Sequence, residues 1–163
     1  MKNFTQKFIG LLALVFSMCF TVNAQEIGDI YEGGYIFQIN EDGTGLVAAL
    51  EDFGPMNWLE ASDAVESSTS GGYDDWYLPS IEELELMLNT IGQDADNSGL
   101  FEDYWYWSST TGINDSGNEV AWFVAFQYGY TTLTLFEASD YMARPIRSVS
   151  FITNILGCTD ATA

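Results

Sequence analysis

Apolar and polar positions fall in short blocks along this chain, and the period within each block predicts an element. Gly34-Tyr35-Ile36-Phe37-Gln38-Ile39 predicts a strand, Asn40-Glu41-Asp42-Gly43-Thr44-Gly45 is dense in turn formers, and Leu46-Val47-Ala48-Ala49-Leu50 resumes the apolar run, so the stretch predicts a hairpin. Trp58, Ala61 and Val65 share one face of a short helix that ends in the Ser/Gly-rich residues 67–72, and that face is expected in the core. In Pro79-Ser80-Ile81-Glu82-Glu83, Ser80 stands at a helix N-cap with Glu83 three positions on, the pattern of a capping box. Both Glu82 and Glu83 fall in the first turn, where the helix dipole favours negative charge, so they are expected to be structural rather than catalytic. Ile81, Leu84, Leu88 and Ile91 supply the buried stripe.

Beyond Gly92 an acidic loop leads to Tyr104-Trp105-Tyr106-Trp107-Ser108-Ser109, whose aromatic density predicts a strand. A polar turn at residues 114–118 separates it from a run over 120–126, and the Tyr128-Gly129 break sets off another over 130–136, predicting a second hairpin. A last strand is expected over 143–149. Strands, two helices, then strands again argue for an α+β fold and against alternating parallel βαβ units.

The amino terminus stands apart from this pattern. Lys2 and Lys7 precede an apolar run over residues 8–20, and Val22-Asn23-Ala24 supplies small residues before Gln25, which predicts a signal peptide over residues 1–24. The run is far short of the roughly 20 apolar residues that span a bilayer. Met18 before Cys19 is bulky where a lipidation site wants a small residue, so lipidation is not expected. The exported remainder is one domain's worth of chain, 25–152, at the cell surface or secreted, followed by a linker over 153–163.

Charge narrows the chemistry further. The chain carries 24 carboxylates against 4 Lys and Arg, and both lysines leave with the signal peptide, so Arg144 and Arg147 are the only basic side chains of the exported part. Direct binding of nucleic acid or a sulfated glycan is electrostatically disfavoured. With no His and a single exported cysteine, Cys158, no His-based triad or metal site and no intrachain disulfide can be assembled. Carboxylate chemistry remains: an acid pair of the glycosidase kind, or an oxygen-ligand metal site.

Asp94, Asp96 and Ser98-Gly99 place oxygen-bearing side chains at alternate positions before a turn-forming Gly, like the first half of a calcium loop, but Trp105 stands where the closing bidentate Glu belongs. An irregular Ca2+ site using Asp94, Asp96 and Asp103 is one expectation, and a solvated acidic loop the other. Asp74 and Asp75 are expected to serve the scaffold. Arg144 and Arg147 lie three apart, which in a regular strand puts them on opposite faces, one held by carboxylates or carbonyls and the other near a surface groove. Their scarcity favours ion-pair anchors over ligand contacts. Trp76, Trp107 and Trp122 are expected in the core, whereas Tyr73, Tyr104 and Trp105 are the candidates for stacking against a sugar ring.

The ordered series Gly45-Leu46-Val47-Ala48-Ala49, Trp58 with Ala61, Asp75-Trp76-Tyr77-Leu78-Pro79-Ser80 with Glu83-Leu84, Tyr106-Trp107-Ser108-Ser109, Ala121-Trp122 and Arg144-Pro145-Ile146-Arg147 resembles the Lcl C-terminal domain family. That family takes its name from the end domain of a bacterial collagen-like adhesin, and the resemblance runs from about residue 28 to residue 149. The same layout is similar to the formylglycine-generating-enzyme branch of the C-type lectin-like fold. That similarity implies two helices, a curved antiparallel sheet and long loops, and it carries no activity, because enzymes of that branch depend on cysteine pairs or metal-binding histidines. Tyr77 departs from the family's usual Arg between Trp and Leu, which removes a basic contact. The tail Gly157-Cys158-Thr159-Asp160 resembles the start of a Cys/Asp repeat of large secreted proteins, as though a repeat were truncated there.

The resemblance implies an exported, non-catalytic binding or adhesion domain for an extracellular glycan or surface protein, assisted by Ca2+ if the acidic loop holds it. A carboxylate-dependent polysaccharide hydrolase and a structural spacer are the alternatives.

Overall fold

In the computed structural model the described residues are 25–92, 101, 104–137 and 139–151, so the signal-peptide and tail readings lie outside them. The first hairpin forms as its pattern predicts: β2 (Gly34–Ile39) pairs antiparallel with β3 (Thr44–Ala49), with a bulge between Ile36 and Gln38. Its turn is closed locally. Gly43 takes a left-handed φ of 82°, and Asp42 Oδ1 accepts from the Thr44 amide at 3.0 Å and the Thr44 hydroxyl at 2.6 Å. Those two bonds hold the Asp42 carboxyl below the usual carboxylate range. A short β1 (Ile30–Tyr31) flanks β2, and β9 (Ile146–Ser150) flanks β3, giving a four-stranded sheet in the order β1-β2-β3-β9.

A second sheet has the order β4-β8-β5-β6-β7, built from β4 (Pro55–Met56), β5 (Trp105–Ile113), β6 (Glu119–Ala125), β7 (Tyr130–Leu135) and β8 (Tyr141–Met142). The α+β class with two helices and antiparallel strands therefore stands, but the strands divide between two sheets, and β5 meets β8 in parallel at Tyr106 and Met142. The closing strand expected over 143–149 starts only at Ile146, and the short β8 precedes it in the other sheet. Pro145 has no N–H to give to a ladder, and residues 143–145 instead form the crossover between sheets. There the Ala143 carbonyl accepts from Phe53 N at 2.9 Å and the Pro145 carbonyl from Ala49 N at 2.8 Å.

Helix α1 (Trp58–Glu66) starts at a capping box that was not anticipated, in which Asn57 Oδ1 accepts from Glu60 N and the Glu60 side chain accepts from Asn57 N. Ala61 and Val65 are buried, while Trp58 is half-buried and stacks on Phe136 at 4.3 Å. Helix α2 (Ile81–Ile91) has the box at Ser80 and Glu83. Its buried side chains are Leu84, Met87 and Ile91, so the stripe is shifted from the expected one, with Ile81 and Leu88 at its half-buried margins. The cause is that α2 packs against β2, β5 and β6 together, a wider floor than one stripe covers.

Successive residues of the central strands feed two separate cores, as the two-residue period of a strand requires. Ile36, Val47, Trp107 and Trp76 belong to one, and Phe37, Ala48, Tyr106 and the α2 residues to the other. This explains the unbroken apolar runs: both faces of these strands are covered. Trp122 is the exception among the expected core tryptophans. It is half-buried, because its row on β6 ends at exposed Leu133 of β7.

Candidate functional site

Two buried arginines organise the ground on which surface features stand. Arg147 donates from Nε to Asp75 Oδ1 at 2.6 Å and from Nη2 to Asp75 Oδ2 at 3.1 Å, and from Nη1 to the Glu32 carbonyl at 3.1 Å. Its guanidinium lies 3.8 Å from the ring centre of Tyr73. Arg144 pairs with Asp52, donates from Nη1 to the Ala49 carbonyl at 2.7 Å, and lies 4.3 Å from the Phe101 ring centre. Tyr106 completes this group by donating its hydroxyl to the second Asp52 oxygen at 2.8 Å. Both arginines are buried and paired. Neither therefore stands at a surface groove, as one of them was expected to: Arg144, in the irregular crossover, turns toward Phe101 of one core, and Arg147 toward Tyr73 and Trp76 of the other.

Tyr73 is thereby corrected. One face of its ring is covered by Arg147 and its edge meets Gly33, so it belongs to the anchor and does not line the cleft that Tyr104 and Trp105 border. Asp75 serves the scaffold, as Arg147's partner, and the guanidinium beside it holds its carboxyl below the usual range.

The Leu78-Pro79-Ser80 step is fixed from β5. Between Trp107 and Thr111 the β5–β6 register shifts, and the freed residues turn toward the step: Ser109 N donates to the Pro79 carbonyl at 2.7 Å, and Thr110 Oγ1 accepts from Ile81 N at 2.9 Å. Trp107 and Trp76 are buried, donating from Nε1 to the Met56 and Ser70 carbonyls at 2.8 and 2.9 Å. Glu83 uses both carboxylate oxygens, accepting from Ser80 N at 2.8 Å and from the Tyr77 hydroxyl at 2.9 Å. Burial and then Glu83 push the Tyr77 phenol up to about 12, so it stays neutral across physiological pH. Tyr77 and Glu83 wall a polar trough of about 460 Å³ over the end of the four-stranded sheet, with Gln38, Thr44 and Ser148 on its floor.

Tyr104 and Trp105 lie at the other sheet. They are 55% and 39% exposed, and they border a cleft of about 310 Å³ with Pro55, Gln127, Asp140, Tyr141 and Met142. Tyr141 meets the Trp105 ring edge-on at 4.9 Å and 84°, fixing the indole while leaving part of it open to the cleft. An anchored aromatic surface beside an amide and a carboxylate can stack on the apolar face of a ring and hydrogen-bond the groups around its rim. A hollow of about 440 Å³ near Leu59, Leu135 and Phe136 is rimmed by Glu119 and Glu137, and its one ring is already stacked on Trp58.

Sequence reasoning missed Asp52, Glu32, Gln127, Asp140 and Tyr141, which come from loops and short strands with no periodic signal. Asn57-x-x-Glu60 had a readable one, the same spacing as Ser80-x-x-Glu83. Asp94, Asp96 and Asp103 lie outside the described residues, and among the described residues no group of three or more acidic or Cys side chains is placed to hold a metal ion.

These features define a two-helix α+β domain pinned by buried arginine–carboxylate pairs, with open clefts at the surface of the described residues. The family model of the Lcl C-terminal domain matches residues 38–147, and the chain belongs to that family. The match closes on Arg147, so it takes in both arginine anchors. A search of curated proteins finds no match. Among the described residues no helix is long and apolar enough to cross a membrane.

Proposed function

We propose that this protein is an exported, non-catalytic binding domain of the surface-adhesin type that takes an uncharged extracellular glycan in the Tyr104–Trp105 cleft. The observation that carries the reading is the partly exposed Trp105 ring, held edge-on by Tyr141 beside Gln127 and Asp140. Charge selects the ligand class: with two arginines against 24 carboxylates, the exported domain repels sulfated or carboxylated chains, while a neutral sugar loses nothing to that repulsion. Membership of the Lcl C-terminal domain family supports the surface location. The non-catalytic part of the reading is supported by Glu83, whose two oxygens are engaged by Ser80 and Tyr77 and are not free for acid–base work. On this reading the scaffold is of the C-type lectin-like kind. A Ca2+ ion on Asp94, Asp96 and Asp103 would stand just before Tyr104 in the chain and order the approach to the cleft. Calorimetric titration of wild type and Trp105→Ala with neutral polysaccharides tests the proposal.

A further inference from the structure

We propose that β7 is a pairing edge for a second copy of this chain, the two copies joining antiparallel about Leu133 to make one continuous sheet. Among the described residues the two sheets have four edges, and three are blunted in ways that ordinarily prevent strand-to-strand association. β1 and β4 are two residues long, and β4 begins with Pro55. β9 is capped by Tyr77, whose N–H and carbonyl both bond Ile146 at 2.9 Å, and it carries Arg147. Edge strand β7, Tyr-Thr-Thr-Leu-Thr-Leu, has six residues of strand-forming type with no Pro and no charge.

The local absence of charge is the second observation. From Val120 to Phe136 the sequence carries no charged side chain, in a chain with 24 carboxylates. The same segment exposes Leu133 and Leu135, 38% and 42% accessible, beside half-buried Trp122. Among the described residues this is the one long edge whose own strand carries no charged side chain; the carboxylate that reaches it, Glu85 of α2, accepts from the Thr131 hydroxyl.

The register follows from side-chain direction and charge. A two-fold axis normal to the sheet keeps each residue on its own face, so only residues of the same parity can stand opposite one another. Centring on Leu133 sets Leu133 against Leu133, Thr131 against Leu135 and Thr132 against Thr134 of the second copy, and Glu137 faces Gly129. Because Trp122 pairs with Leu133 within each copy, one row then reads Trp122, Leu133, Leu133, Trp122 across the join. A shift to Thr134 as centre would bring Glu137 against Thr131, whose hydroxyl is bonded to Glu85 at 2.5 Å. A shift to Thr132 would leave Leu135 opposite Gly129.

Strand pairing alone buries less than a stable dimer interface needs, so the association is weak and concentration-dependent. It also works against the net charge of both copies, and so tightens as salt screens them. Sedimentation equilibrium in low and high NaCl tests this on the exported chain from Gln25, with Cys158→Ser removing its own thiol. The expected result is a monomer–dimer equilibrium that deepens with salt and is abolished by Leu133→Lys. In the same background, Leu133→Cys is expected to cross-link two copies on mild oxidation, and Leu135→Cys is not. Should Leu133→Lys fail to fold, the cysteine pair decides. A monomer at all concentrations and salts, a dimer that survives folded Leu133→Lys, or equal cross-linking of the two cysteine variants would overturn the proposal.

Discussion

The guanidinium of Arg147 grips the carboxylate of Asp75 at two points, 2.6 and 3.1 Å, tying the last strand to the loop that leads into the Leu78-Pro79-Ser80 step. Arg147 is buried while Asp75 is half-exposed, so the pair is anchored from one side. A two-point fork of this kind fixes direction as well as distance, which a lysine would not do. Glu32 adds to the fixation: it holds a left-handed φ of 43° in the β1–β2 turn, and its carbonyl accepts from the same guanidinium. The arginines of this acidic chain are therefore spent on joining segments distant in sequence.

That pair gives stability a pH signature. Arg147 holds the Asp75 carboxyl below its ordinary value of 3.8 in the folded state. The contribution is accordingly complete above that ordinary value and is lost as pH falls through the lower, folded one. Asp75→Asn should lower the urea midpoint by a constant amount from about pH 7 to about pH 5, and the gap should close progressively below about pH 4. A gap that is independent of pH down to complete acid unfolding would show that the carboxylate charge is not what Arg147 uses.

Ser80 caps α2 through its hydroxyl, which accepts from Glu83 N at 3.2 Å. Ser80→Ala should cost about 1 kcal/mol in chemical denaturation and leave ligand binding unchanged. An unaltered midpoint would mean that the reciprocal bond from Ser80 N to Glu83 carries the cap alone.

The parts legible in the sequence were those with a local cause. The β2–β3 hairpin, the α1 face and the Ser80 cap each follow from spacing within about a dozen residues. What depends on distant partners was hidden. Nothing near Asp52 in the sequence marks it as the counter-ion of Arg144, and the division of residues 141–150 between two sheets follows from which carbonyls meet Ala49 and Phe53. Tyr73 and Trp105 read alike as exposed aromatics, and only the fold puts Arg147 over one and a cleft beside the other. Met87 took a place assigned to Leu88 because the helix spans two sheets, which its own periodicity does not record.

If Asp94, Asp96 and Asp103 hold Ca2+, the ion binds the folded form and raises its stability by about 2.7 kcal/mol at roughly 100 times its dissociation constant. Asp96→Asn should remove most of that gain. Thermal unfolding with Ca2+ against matched Mg2+ checks it, and identical shifts from the two ions, or a normal Ca2+ response from an Asp94/Asp96 double variant, would leave a solvated acidic loop.

A ring-stacking cleft for neutral glycan at Trp105 is measured directly by isothermal titration of wild type and Trp105→Ala with β-glucan, xylan and mannan, with heparin as the charged control. At least one neutral polysaccharide should bind wild type. Trp105→Ala should weaken that binding by about tenfold or more, equivalent to about 1.4 kcal/mol, with an unchanged melting temperature, and heparin should give no heat. Absence of binding to every neutral glycan, or affinity that Trp105→Ala leaves intact, would contradict the account.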